Sequence, residues 1–291
     1  MAIWNLGSIN IDQVFAVPHM PGAGETLSAT DHKIFLGGKG TNMSVACARA
    51  GARVHHIGAV GEDGEWCVDR LMEHGVDTRF IARMDDEDTT QALILVDQDG
   101  ENMIVLSPGA NDVIPQAILQ EALSEAQTGD WLLIQNETNL QRTAAELGRK
   151  MGLKVAYAAA PFDADRVQAV LPSIDLLFLN EVEARQLREA VGKKPYDLGV
   201  RDVVVTLGAD GADWFGPKGP QHFDAHKVEA VDSTGAGDTF TGYVLAGLDR
   251  GQPMGQAIGV AMRAGALMVQ RHGTSDVIPD LHEVQNTILG D

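Results

Sequence analysis

Positive charge is scarce in this chain: 22 lysines and arginines stand against 41 aspartates and glutamates, a formal charge of −19. Such a surface repels a phosphate backbone at long range, which excludes nucleic acid as a partner. It does not exclude a single nucleotide, whose phosphates can be neutralised locally by backbone N–H groups and a metal ion. Cysteine is nearly absent. Cys47 and Cys67 lie in helix-like apolar context without zinc-site spacing. They read as small buried hydrophobes in a reducing cytosol. No apolar run approaches the roughly 20 residues of a membrane-spanning helix. The opening Met1-Ala2-Ile3-Trp4-Asn5-Leu6 has no cationic region ahead of an apolar stretch, so it reads as a buried strand rather than a secretion signal. Neither a membrane partner nor a metal-protease motif is expected. Adjacent His55 and His56 point to opposite faces of a strand and cannot share a metal.

What is present fits a globular α/β protein: 44% hydrophobic residues and 32 glycines in 291 residues. With no linker, internal repeat or low-complexity tract, residues 1–291 read as a single domain. Strand-like runs at Val54–Val60, Trp131–Ile134, Lys154–Tyr157, Leu176–Leu179 and Val203–Leu207 alternate with helix-like runs. That order predicts right-handed βαβ crossovers and a mostly parallel central sheet covered on both faces by helices. Two long helical patterns, about Gly235–Arg250 and Met254–Arg271, close the chain. Two stretches break the rule. Short alternating runs at about 12–36 and 91–107, the second folded about Asp99-Gly100, predict a four-stranded accessory sheet.

The most specific motif is Asp232-Ser233-Thr234-Gly235-Ala236-Gly237-Asp238-Thr239-Phe240. Small residues allow close backbone approach, and the following helix aims its first N–H groups into the cleft, an anion hole for a phosphoryl group in flight. Taken alone, the same residues also read as an ordinary loop-to-helix join with Asp238 as a cap. Two familiar readings are excluded. The motif lacks the third glycine of a dinucleotide fingerprint, and Gly37-Gly38-Lys39-Gly40-Thr41 has Lys33 where a P-loop needs its first glycine.

The segment from Asp232 to Phe240 resembles the C-terminal signature of the ribokinase family, carbohydrate kinases of the B-type phosphofructokinase superfamily. The segment Gly37-Gly38-Lys39-Gly40-Thr41-Asn42-Met43-Ser44-Val45-Ala46 resembles its N-terminal signature. Family-like segments run from Gly7 to about Pro279. The resemblance implies a three-layer α/β/α sandwich with a four-stranded β lid, and an enzyme that transfers the γ-phosphoryl group of ATP to a terminal sugar hydroxyl. It implies Asp238 as the base, with Gly235, Ala236 and Gly237 as the anion hole. Asn10, Asp12, Gly37, Gly38, Lys39, Asn42 and Glu137 would contact the sugar. Alone, Asn10 and Asp12 read as turn residues and Glu137 as a solvated loop acid.

For ATP the resemblance implies Asn180, the turn Thr206-Leu207-Gly208-Ala209-Asp210-Gly211, Gly237 and Met262, the last where ribokinases often present a polar residue near adenine. Asn180 and Glu183 match the Asn-x-x-Glu motif that organises Mg²⁺, largely through water. Asp232, Thr234, Met268, Arg271 and Gly273 match a shell for a monovalent cation, usually K⁺, but Val277 replaces its serine ligand. Ribokinases pair through their lids, so a homodimer is implied. The set of contacts favours D-ribose as acceptor, and fructose, a nucleoside or 2-keto-3-deoxygluconate stays open. From another class, a catalytically silent sugar-binding regulator also stays open.

Overall fold

The computed structural model describes residues 1–289. The chain begins with β1 (Ile3–Leu6), β2 (Asn10–Ala16), β3 (Asp31–Gly37), α1 (Lys39–Arg49), β4 (Val54–Gly61), α2 (Glu65–Glu73) and β5 (Asp77–Met84). Then come β6 (Thr90–Val96), β7 (Asn102–Ser107), α3 (Gln116–Ser124), β8 (Trp131–Ile134), α4 (Gln141–Met151), β9 (Lys154–Ala158) and α5 (Ala164–Val170). It continues through β10 (Leu176–Asn180), α6 (Glu181–Val191), β11 (Asp202–Thr206), β12 (Ala212–Gly216) and β13 (Gly219–Phe223). It closes on α7 (Ala236–Asp249), α8 (Met254–Met268) and α9 (Leu281–Asn286).

Among the described residues, nine strands form the central sheet in the order β13-β12-β11-β10-β9-β8-β1-β4-β5. Strands β5 to β11 of this sheet are parallel, and β12 and β13 extend it antiparallel. Its inner strands are apolar on both faces, which is what a doubly covered parallel sheet requires. Alternate side chains feed two separate cores. Leu176 and Phe178 of β10 pack with α1, α7 and α8, while Leu177 and Leu179 pack with α3, α4 and α5. Chain order reverses at β1, whose neighbours β4 and β8 are reached in opposite directions. The crevice beyond the C-terminal ends of such strands is the natural ligand site of an open α/β sheet.

The accessory sheet has the order β3-β2-β6-β7. Its outer pairs are antiparallel, but β2 and β6 run parallel from Asn10↔Thr90 to Ala16↔Val96, so the sheet is mixed. The expected Asp99-Gly100 hairpin is present, with the Asp97 carboxylate accepting from the amides of Asp99 and Glu101.

Four elements have no counterpart in the sequence pattern: β5, β13, α5 and α9. Strands β5 and β13 are the sheet's two edges, half-exposed and broken by charged or polar residues and Pro220. Without burial on both faces, they carry no apolar run to betray them. The last long helix stops at Met268 rather than Arg271, whose guanidinium instead donates to the Val277 carbonyl at 3.0 Å.

Candidate active site

The expected acceptor side of the crevice is built where β1 ends and α1 begins. Gly38 caps α1 with φ 96, and a methyl group there would stand 2.8 Å from the Ser8 carbonyl oxygen. Glycine is therefore required twice, for backbone sign and for contact. Ser8 receives the helix start, its carbonyl accepting from Thr41 N at 2.9 Å and its hydroxyl from Gly40 N at 3.1 Å. The same hydroxyl donates to Glu137 Oε2 at 2.5 Å. Glu137, beyond the end of β8, also accepts from Lys39 N at 2.9 Å and faces Lys39 Nζ across 3.3 Å. Two loops and a helix are thus tied through one carboxylate.

Asn10 and Asp12 lie within β2 rather than in a turn. Asn111 orients Asn10, donating from Nδ2 to its Oδ1 at 2.8 Å. Asp12 packs on the bare backbone of Gly37, where a methyl group would stand 2.0 Å from its Oδ2. A larger residue there would displace that carboxylate.

The opposite wall is the start of α7. Gly235 caps it with φ 73, and no side chain satisfies its first amides. Those of Gly237 and Asp238 meet no acceptor among the described residues. A methyl group on Gly237 would touch nothing within 4 Å, so its face is open for a ligand. Asp238, in the first turn, accepts from Asn42 Nδ2 at 2.9 Å. The other amide atom, Asn42 Oδ1, is buried and has no partner among the described residues. A hydroxyl arriving from a ligand would satisfy it.

Four carboxylates, Asp12, Glu137, Glu183 and Asp238, surround the single ammonium of Lys39. Burial pushes Asp12 up to about 7, with repulsion from Glu137 adding and Lys39 opposing. Burial likewise pushes Asp238 up to about 6, where Lys39 and the Asn42 hydrogen bond restrain it and Glu137 adds repulsion. Glu183 is raised by burial and by Asp238. Burial alone would lower Lys39, but Glu137, Asp238 and Glu183 outweigh it and hold its pKa above the usual range. The excess of negative charge suits a site completed by a metal-bound nucleotide.

On the expected nucleotide side, Asn180 and Glu183 form a reciprocal capping box at the start of α6. Glu183 N donates to Asn180 Oδ1 and Asn180 N to Glu183 Oε2, both at 2.8 Å. A cavity of about 310 Å³ brings together Lys39, Asn180, Glu183, Thr206, Gly235, Gly237 and Asp238. The turn Gly208–Gly211 adjoins it with Gly208, Ala209 and Asp210 exposed, but Leu207 packs into the core. Met262 is half-buried on α8, packed against the other core, and does not line this cavity.

Around the expected monovalent-cation site, Asp232 accepts from Thr234 N at 2.9 Å and from Gly273 N at 3.3 Å, so its carboxylate joins the two loops. The Met268 carbonyl accepts from Arg271 N at 3.1 Å, and Val277 presents only apolar atoms toward Gly273. Among the described residues no cluster of three or more histidine, cysteine or acidic side chains could itself hold a metal.

A second cavity, of about 350 Å³, lies between the accessory sheet and the core and reaches Asn10, Asn111, Asn136, Glu137 and Arg166. Sequence reasoning missed Ser8, Asn111 and Arg166. Ser8 and Asn111 act through Glu137 and Asn10, and nothing in their local pattern marks them. No helix among the described residues is long and apolar enough to cross a membrane.

Residues 3–281 match the pfkB family carbohydrate kinase model. The ribokinase of Haemophilus influenzae is 35% identical over 293 residues, covering 96% of this chain and 95% of that one. A solved ribokinase from Thermotoga maritima superposes with a TM-score of 0.87 at 30% identity, covering 98% of each chain. A ribokinase from Arabidopsis thaliana, solved with ribose and ATP, gives 0.85 at 28% identity with the same coverage.

Proposed function

The chain belongs to the pfkB family of carbohydrate kinases, and we propose that it transfers the γ-phosphoryl group of ATP to the terminal hydroxyl of D-ribose, giving ribose 5-phosphate. The observation that carries this is the meeting of the Asp238 carboxylate, the unpartnered Asn42 Oδ1 and the free amides of Gly237 and Asp238 at one helix end. The ribose preference rests on the relatives being ribokinases and on the acceptor wall holding all the expected polar residues.

Asp238 holds the acceptor hydroxyl in line with the γ-phosphorus and takes its proton as the new O–P bond forms and the bond to ADP breaks. In a loose transition state the proton leaves late, so a carboxylate of ordinary basicity would suffice, and burial makes Asp238 more basic than that. The free amides of Gly237 and Asp238 would face the charge spread over the migrating group, whereas the Ala236 amide already donates to the Ser233 carbonyl at 3.2 Å. Asn10, Asp12, Lys39, Asn42 and Glu137 fix the sugar, which converts a bimolecular encounter into an oriented one. Magnesium, when bound, supplies positive charge beside the phosphates, and Asn180 and Glu183 would hold it through water. The Glu183 oxygen left free by the capping box suits that role. Asp232 and Thr234, with the carbonyls of Met268, Arg271 and Gly273, would hold a monovalent cation.

The accessory sheet is proposed to act as a lid and as the contact between two copies. Ile34, Leu93, Met103, Ile104, Val105 and Leu106 are each at least 44% exposed, and β7 is exposed along its whole length. An apolar edge of this kind requires a cover. A strictly monomeric species in light scattering at micromolar concentration rules the pairing out. ADP release measured over ribose, deoxyribose, fructose, ribonucleosides and 2-keto-3-deoxygluconate tests the function. Ribose is expected to give the highest kcat/KM, and no sugar-dependent turnover at all would leave a silent binding protein.

A further inference from the structure

Beneath the acceptor wall lies a group of polar side chains that the roles above leave unused. Asn5, Ser44 and His56 are fully buried and Gln135 is 1% exposed. Hydrogen bonds join them in one directed chain. Gln135 Nε2 donates to Asn5 Oδ1 at 2.8 Å. Asn5 Nδ2 donates to the Gly40 carbonyl and to Ser44 Oγ, each at 2.8 Å. Ser44 Oγ stands 2.8 Å from His56 Nδ1, and His56 Nε2 stands 3.0 Å from the Gly7 carbonyl. A carbonyl can only accept, so Nε2 carries the proton, Nδ1 accepts from the Ser44 hydroxyl, and Ser44 is left to accept from Asn5. Each role follows from the one before. Burial keeps the imidazole neutral, its pKa pulled down to about 4 against the opposing Gly7 bond.

Every end of this chain touches a segment of the acceptor site. Gly7 precedes Ser8, which holds Glu137 and receives α1. Gly40 and Ser44 share α1 with Lys39 and Asn42, and Gln135 lies two residues before Glu137. There is no slack between them. A methyl group on Gly7 would stand 2.6 Å from Gly40 Cα and 3.1 Å from both Asn5 Nδ2 and Gln135 Oε1. Burying four polar side chains costs free energy that apolar residues of the same volume would avoid, so stability alone does not account for them.

We propose that Asn5, Ser44, His56 and Gln135 are positioning residues, a buried clamp that holds the Gly7–Asn10, Gly38–Asn42 and Gln135–Glu137 segments at the spacing acceptor binding requires. The proposal rests on the acceptor site assigned above. None of the four lines either cavity of the site.

Steady-state kinetics with melting curves test it. His56→Phe keeps a ring in place and removes both hydrogen bonds. Its KM for ribose is expected to rise about tenfold, with KM for ATP changed less than about twofold, since small misplacements at reacting groups have large effects. Ser44→Ala, a gentler change, moves acceptor KM the same way by about threefold. The double variant costs less than the product of the two, as members of one network do. His56→Gln, whose amide can still donate to the Gly7 carbonyl, recovers part of the loss. Folded His56→Phe and Ser44→Ala proteins with wild-type acceptor KM and only a lowered Tm overturn the clamp. A wild type inert toward every sugar overturns the functional reading and, with it, the clamp.

Discussion

The two walls of the crevice are built on different terms. On the proposed acceptor wall the polar groups are side chains and each is pinned: Glu137 by three donors from Ser8 and Lys39, Asn10 by Asn111, Asp12 by the bare backbone of Gly37. On the proposed nucleotide wall the available groups are main-chain amides and exposed turns, with Gly208, Ala209 and Asp210 open to solvent. A polyol offers hydroxyls that need donors and acceptors in fixed places, whereas phosphates need only concentrated N–H groups and positive charge. Substitutions on the acceptor wall are therefore expected to act on one substrate, and those on the nucleotide wall to be better tolerated.

Asp238 stands where the walls meet, and its loss is expected to have the largest effect. Asp238→Asn should lower kcat at least about a hundredfold while folding normally. The wild-type acid limb of kcat/KM should fall near pH 6 to 7, where Asp238 and Asp12 take up protons. The sign for stability is opposite to that for activity. Both carboxyls bind protons more tightly folded than unfolded, so the unliganded protein is most stable below about pH 4 with respect to these groups and loses that contribution as pH rises through 6 to 7. Asp238→Asn removes one such charge, and its Tm at about pH 8 should exceed wild type by about 2–4 °C. An active variant would detach Asp238 from the transfer step, and a less stable one would overturn the destabilising burial of its charge.

The next effect belongs to the acceptor wall alone. Glu137→Gln keeps the shape but removes the charge opposite Lys39 and one of the acceptors shared by Ser8 and Lys39. KM for the sugar is expected to rise about tenfold or more, with KM for ATP within about twofold. Equal changes in both constants would erase the distinction between the walls.

How far the sequence speaks also divides along this line. The Gly235–Asp238 and Gly37–Asn42 segments are legible because their main constraint is local, a positive φ at Gly38 and Gly235 that favours glycine. The inner strands are legible because burial on both faces imposes an apolar run. Edge strands β5 and β13 are not, since half-exposure erases that run. Ser8 and Asn111 stay silent for a different reason. Their partners, Glu137 and Asn10, lie 129 and 101 residues away in the chain, and no local spacing encodes such pairs. Asn10 and Asp12 show the converse: turn-forming residue types held in a strand because β3 and β6 flank them.

The smallest expected effect lies beyond the nucleotide wall, at the loops joined by Asp232. Val277 offers no side-chain oxygen, and Asp232 already accepts from the amides of Thr234 and Gly273. Stimulation by K⁺ should therefore be weak in the wild type. Val277→Ser adds a hydroxyl at a half-buried position beside Gly273, where the valine methyls now lie 3.4 and 3.5 Å from the site of a Gly273 Cβ. One more oxygen among hard-cation ligands should raise the activation by K⁺ over tetramethylammonium about twofold, read as kcat at fixed ionic strength. The fold needs no change for this, because serine is smaller than valine and the 273–277 loop is also held by Thr274 and Ser275, whose hydroxyls donate to the Leu36 carbonyl. Strong K⁺ dependence in the wild type, unaltered by the substitution, would place the cation's ligands entirely on the main chain and make the nucleotide side as demanding as the acceptor side.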